Sequence, residues 1–165
     1  MYFLLFISFL IILRLSELRV ARKNEIWLRA NGAVEYGKKH YPFIVLLHVG
    51  FILSLVIEYL LKTAKTPDYF FLVLFLALIA VKIQIIHSLG KYWNTKIFHI
   101  SGVPLVRKGL YKYIKHPNYF IVVSEIAVIP LIFHLYVTAI VFSLLNAIML
   151  SIRIKEENKI LKTTT

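Results

Sequence analysis

Apolar and polar positions fall along this chain in long blocks, without the short alternation of a soluble fold. The first apolar block runs from Tyr2 to about Leu18. The polar stretch after it reaches about Tyr41 and begins "ELRVARKNEIWLRA", which sets Leu18, Ala21, Ile26 and Trp27 among charges. That mixture predicts a first helix continuing past the membrane into water or along the interface, until Gly32, Gly37 and Pro42 break it. The second block is Pro42 to Leu61, "KTAKTPD" is a short loop, and the third block is Tyr69 to Leu89. A long polar, aromatic and glycine-bearing segment follows, "GKYWNTKIFHISGVPLVRKGLYKYIKHPN". Unstructured loops of that length are uncommon and often functional. The fourth block extends from Asn118 to about Phe133, a turn lies near His134–Tyr136, and the fifth block covers Val137 to about Ile152 before a charged tail, "RIKEENKILKTTT". A bilayer crossing takes about 20 helical residues. The pattern therefore predicts an all-α polytopic integral membrane protein: one membrane domain, 1–165, of about five transmembrane helices ending in a helical hairpin.

Composition agrees, with a mean hydropathy of +0.76. Cysteine is absent, which removes disulfides, thiol nucleophiles and Cys-ligated metals. The six histidines are scattered without ligand spacing, so no metal site is expected. The opening block lacks the basic flank and small-residue cleavage site of a signal peptide. The formal charge of +12 is distributed by side. With the N-terminus outside, sixteen of the 20 Lys and Arg residues fall on the cytoplasmic face, in the first polar stretch, the long segment and the tail, against Lys62 and Lys65 outside. That asymmetry follows the positive-inside rule and places the C-terminus in the cytoplasm. It also accounts for the basic charge without nucleic acid, and Lys38, Lys39 and His40 read as surface charge facing anionic lipid. Arg14 is expected to snorkel at the end of the first span, and Trp27, Tyr59 and Trp93 to sit in interfacial belts.

The chemistry concentrates in the last hairpin. With the turn at Leu135, Glu125 lies ten residues before it and Asn146 eleven after, at nearly equal depth. Asn118 and Glu125 share one helical face, as do Asn146, Arg153 and Glu157. Two polar stripes can thus face each other across a crevice running roughly 10 Å into the membrane. Pro117 suits a first helical turn, whose free N–H groups bind anions, and His116, Lys115 and Lys112 add positive charge. Ionisable residues in membrane spans point inward and are functional by default. Glu125 can alternatively be a structural acid paired with Lys82, Asn146 or His87, and His116 and Asn118 can be helix caps. Lys82 and Gln84 read as packing residues, and His48 and Glu58 as structural.

"SLGKYWNTKI", then "SGVPLVRKGLYKYIKHPNYFIVVSE", a span and "RIKEE" resemble the isoprenylcysteine carboxyl methyltransferase family, in a bacterial branch. The matching positions are Gly109, Tyr111, Tyr113, His116, Pro117, Tyr119, Arg153, Glu156 and Glu157, within about Ser88 to Leu161. Leu110, Lys112, Lys115 and Ile121 depart from the family pattern. The resemblance implies S-adenosylmethionine as methyl donor in a cytoplasm-facing pocket, and a lipophilic acceptor entering from the bilayer. Fitted to the crevice, that cofactor is expected to be bound by Tyr111, His116, Asn118, Tyr119, Glu156 and Glu157, with Arg153 orienting an acceptor oxygen or holding the glutamates, and Glu125 as the candidate general base where one is needed. The acceptor is expected to be a carboxylate or an enol or phenol oxygen (long-chain alkylpyrones are methylated by bacterial relatives), with an amine head group also open. A small membrane reductase using NADPH and a non-catalytic membrane scaffold are the competing readings. A soluble Rossmann-type methyltransferase is excluded, because no Gly-x-Gly turn follows a strand-like run. Oligomeric state is left open.

Overall fold

The computed structural model describes residues 1–62, 66–104 and 106–163, with side chains to residue 159. Lys65 of the short loop and the side chain of Lys162 lie outside the described residues. The protein is an all-α membrane protein of five helices: α1 (Tyr2–Ala30), α2 (Tyr41–Leu61), α3 (Tyr69–Leu89), α4 (Pro117–Leu131) and α5 (Tyr136–Thr163). Two short strands, β1 (Val34–Tyr36) and β2 (Ile97–His99), pair antiparallel with Glu35 opposite Phe98. The apolar blocks mark the helices to within a few residues. The ribbon was not expected, because three-residue strands carry no usable periodicity. It ties the polar stretch after α1 to the long segment after α3.

By length and composition α2, α3 with the turn after it, and α5 can each cross a bilayer. The two remaining apolar blocks behave differently. At 15 residues α4 is about 22 Å long, short of the roughly 30 Å hydrocarbon core. It compensates by burying Ile121, Ile126, Val128 and Ile129 against α3 and α5. The first helix is a single element through to Ala30, so its charged second half continues the apolar half without a break. Its buried positions are Phe3, Ile7, Leu10, Ala21, Asn24 and Leu28, a stripe at alternating spacings of three and four.

Arg14 and Glu17 lie on that same stripe, and this overturns the expectation that Arg14 snorkels outward. Arg14 turns inward and donates to Glu17 at 2.9 Å and to Glu125 of α4 at 2.9 Å. Lys82, on the buried face of α3, reaches both oxygens of Glu125 at 2.8 and 3.1 Å and Glu17 at 2.6 Å. Glu125 is fully buried and Lys82 is 3% exposed. The four charges balance, and together they clamp α1, α3 and α4. Gln84, paired with Lys82 in the sequence reading, instead has its side chain exposed.

The far end of the bundle is fixed separately. Glu58 of α2 accepts hydrogen bonds from the Val137 and Thr138 amides, at 3.2 and 2.7 Å, and so caps the start of α5 from another helix. Lys62 donates to the carbonyl of His134 in the hairpin turn, and the Asp68 amide donates to the Ile132 carbonyl at 2.7 Å. Phe3 stacks on Tyr59 at 3.6 Å, with Phe133 edge-on to both, so Tyr59 is part of the core packing as well as near a span end. The N-terminus therefore lies at the hairpin-turn end, opposite His116.

Replacing Lys82 by Met leaves Glu125 buried with only Arg14 to compensate it. Removing one partner of a buried pair costs about 3–5 kcal/mol. Thermal unfolding in nanodiscs should show a large loss for Lys82→Met, and recovery of much of it in Lys82→Met/Glu125→Leu. Equal losses in the single and double variants would mean that the cluster does not act as a unit.

Candidate functional site

The open end of the α4–α5 hairpin gathers most of the residues singled out in the sequence. Pro117 opens α4 where its missing N–H is harmless, and the His116 carbonyl accepts from the amides of Tyr119 and Phe120. With those two donors used, Asn118 supplies the remaining amide of the first turn, a smaller anion cradle than the Pro117 signal suggested. The side chains form a stack. The His116 ring lies parallel to the Tyr119 ring at 5.0 Å, and the Arg153 guanidinium sits over Tyr119 at 5.3 Å. Arg153 Nε donates to the Tyr119 hydroxyl at 2.9 Å, and that hydroxyl donates to Glu157. His116 Nδ1 is 3.6 Å from the same carboxylate, and Lys115 donates to Asn158 at 2.7 Å alongside. Burial lowers the basicity of His116. The Glu157 carboxylate opposes this, Lys115 and Arg153 reinforce it, and the net shift is below the ordinary value.

Over this stack opens a cavity of about 520 Å³, within the usual size of a small-molecule site. The 3₁₀ turn at Gly109–Lys112 brings Tyr111 to its wall. Gly109 permits that turn twice over. Its φ is +54°, and a Cβ there would lie 2.4 Å from the Ser88 hydroxyl on α3. Burial, with the Glu157 charge, pushes the Tyr111 phenol well above its ordinary range, so it stays neutral. Trp93 and His99, earlier in the long segment after α3, also line it. Four buried polar atoms of residues on this cavity have no partner among the described residues: Trp93 Nε1, His99 Nε2, His116 Nε2 and Asn118 Oδ1. Such orphans are rare in folded proteins and ask for a ligand or water.

A second cavity, about 280 Å³, lies among the helices. Ile11, Leu15, Leu47, Ile52 and Leu150 give it an apolar wall, and Arg14, Lys82, His48 and Asn146 also line it. The two cavities share Trp93, Asn118, Tyr119 and Arg153.

The hairpin end thus brings together Tyr111, His116, Asn118, Tyr119, Arg153 and Glu157 on one cavity. Glu156 points away from it, 38% exposed and paired with Lys159 at 2.7 Å. Glu125 lines neither cavity, and both its oxygens are held by Lys82 and Arg14. Trp93, expected in an interfacial belt, is instead 2% exposed and stands between the cavities. Asn24 of α1 fixes the segment around it by donating to the carbonyls of Gly90 and Trp93 at 3.0 and 2.7 Å. His99 was missed because its position depends on the ribbon. His48 was read as structural, yet it lines the inner cavity.

A model of the isoprenylcysteine carboxyl methyltransferase (ICMT) family matches residues 70–163. The uncharacterized protein YpbQ of Bacillus subtilis (strain 168) is 45% identical over 165 residues, which cover 97% of this chain and 96% of that protein. An uncharacterized protein of Haemophilus influenzae (strain ATCC 51907 / DSM 11121 / KW20 / Rd) is 30% identical over 149 residues, 88% of this chain and 86% of that one. No solved structure matches the chain.

The His116 shift fixes the sign of a pH effect. A histidine held below its ordinary value of about 6.5 binds fewer protons folded than unfolded, so folding weakens as pH falls through and below that value. Melting temperature measured from pH 7.5 downward should drop faster for the wild type than for His116→Asn. Parallel curves would place the His116 ring in solvent.

Proposed function

The chain belongs to the isoprenylcysteine carboxyl methyltransferase family, and from that premise we propose that it transfers a methyl group from S-adenosylmethionine to an oxygen of a membrane-partitioned lipid. The observation that carries the reading is the meeting of a polar cavity and an intramembrane apolar one at Asn118, Tyr119 and Arg153. A water-soluble cofactor and a lipid can each enter from its own phase and touch at that boundary.

The cofactor suits the polar cavity. Its carboxylate matches the Asn118 amide and His116, and its ribose hydroxyls match Glu157, the acid of the terminal pair that faces the cavity. Its purine and sulfonium match the aromatic face of Tyr111, and the Trp93 N–H and the His99 ring nitrogen, unpartnered among the described residues, can meet the purine's polar edge. Glu156, turned to Lys159, leaves that role to Glu157. Bound there, the cofactor would supply the methyl electrophile. Arg153, already fixed by Tyr119, has guanidinium hydrogens left to orient an anionic acceptor oxygen. An acceptor that is a carboxylate or an acidic enol or phenol reaches the site without its proton, and no general base is then required. Glu125, first considered for that base, acts through Arg14 and Lys82 as a positioning residue. Alignment of the two reactants and exclusion of water supply most of the acceleration. Basic charge gathered at the His116 end supports a cytoplasmic cofactor cavity and C-terminus, with the N-terminus outside.

Purified protein in nanodiscs should bind S-adenosylmethionine saturably, and His116→Ala and Glu157→Ala should each weaken binding by about tenfold or more. With a total lipid extract and labelled cofactor, the label should appear in a lipid. Saturable NADPH binding in place of S-adenosylmethionine would assign a membrane reductase, and binding of neither would leave a scaffold.

A further inference from the structure

The inner cavity contains polar groups that methyl transfer at the Tyr119–Arg153 boundary does not use. Asn146 is 4% exposed and lines this cavity, and its side-chain amide has no partner among the described residues. It lies two helical turns above Arg153 on α5, about 10 Å deeper in the membrane. Arg14 lines the same cavity. Glu17 and Glu125 take one hydrogen each from two of its nitrogens, and the rest of the five guanidinium N–H groups have no partner among the described residues. His48, on the same wall, places Nδ1 2.8 Å from the Ile44 carbonyl. A carbonyl only accepts, so Nδ1 carries the proton and Nε2 presents a lone pair, with no partner among the described residues.

From these three side chains we propose a second polar subsite in the acceptor groove, one that holds a neutral oxygen function of the lipid, a carbonyl or a hydroxyl. The proposal rests on the methyltransferase reading and narrows its substrate. Arg14 and the Asn146 amide donate to the lipid oxygen, and Asn146 Oδ1 or His48 Nε2 accepts from it where it is a hydroxyl. Charge balance selects a neutral group over a second anion. Arg14 and Lys82 are already matched by Glu17 and Glu125, so an added negative charge would be buried without a counter-ion. A plain hydrocarbon tail laid over these groups would strip their hydration and return no hydrogen bond. The favoured acceptor therefore carries, between the methylated oxygen and its tail, at least one further oxygen.

The product tests this directly. Wild-type protein in nanodiscs is incubated with labelled S-adenosylmethionine and a total lipid extract, and the labelled lipid is analysed by high-resolution mass spectrometry and fragmentation. The expected product has a carbonyl or hydroxyl oxygen outside the methylated group. A simple fatty acid methyl ester, whose oxygens all belong to that group, overturns the subsite while leaving the methyltransferase reading intact. Label in no lipid overturns both. With the identified acceptor, Asn146→Leu should raise KM roughly tenfold and change kcat less than twofold, with cofactor affinity and melting temperature unaltered, and Asn146→Gln should restore most of the loss. An unchanged KM, or a fall in melting temperature with no KM effect, assigns Asn146 to packing alone.

Discussion

The protein depends on a balanced cluster of four charges buried between three helices. A single Arg, Lys or Asp at the centre of a membrane helix costs about 2.5–3.5 kcal/mol to insert, so four unpaired charges would be prohibitive for a chain this small. Arranged as Arg14, Glu17, Lys82 and Glu125, each charge sees opposite neighbours within about 3 Å. Apolar helices slide past one another with little penalty in lipid, because the hydrocarbon around them is as apolar as their surfaces. A salt-bridged cluster permits one register only. That register sets the depth of α1 and α4, and through α4 the height at which His116, Asn118 and Tyr119 meet α5.

The hairpin end adds a second constraint of a different kind. Tyr119 is a shared partner: its ring lies between His116 and Arg153, and its hydroxyl accepts from Arg153 while donating to Glu157. One side chain on α4 thereby sets the orientation of two charged groups on α5. Because Tyr119 and Arg153 line both cavities, the same contact holds the helix ends together and shapes the boundary between the polar cavity and the inner one.

Much of this was legible in the sequence, and the reasons are specific. Helices crossing lipid need long apolar runs, so Tyr69–Leu89 can be read off directly. Residues i and i+7 share a face, so the alignment of Asn146, Arg153 and Glu157 follows from spacing alone. Arg14 was misread although the signal was present: it falls on the stripe of Phe3, Ile7, Leu10, Ala21, Asn24 and Leu28. Position near the end of an apolar block suggested snorkelling, but helical register decided the matter. The pairing of β1 with β2, and with it the contribution of His99 to the polar cavity, joins segments some sixty residues apart in the chain. No local pattern encodes that contact. Trp93 is similar, because its burial depends on Asn24 gripping the carbonyl beside it.

The division of labour between the two halves of the chain follows from where the family match lies. Residues 70–163 supply α3, the long segment, α4 and α5, and hence nearly every residue on the polar cavity. The inner cavity takes Asn146, Met149, Leu150 and Arg153 from α5 and Asn118, Tyr119 and Val122 from α4, and adds Ile11, Arg14, Leu15, Leu47 and His48 of α1 and α2, all before residue 70. On the proposed reading the matched half holds the cofactor and the unmatched half adds to the acceptor's wall, so changes in α1 and α2 can reshape the inner cavity while leaving the polar one largely in place. The limit on that freedom is the charge cluster: Arg14 and Glu17 line the inner cavity and also hold the packing, so substitutions there must preserve the balance with Lys82 and Glu125.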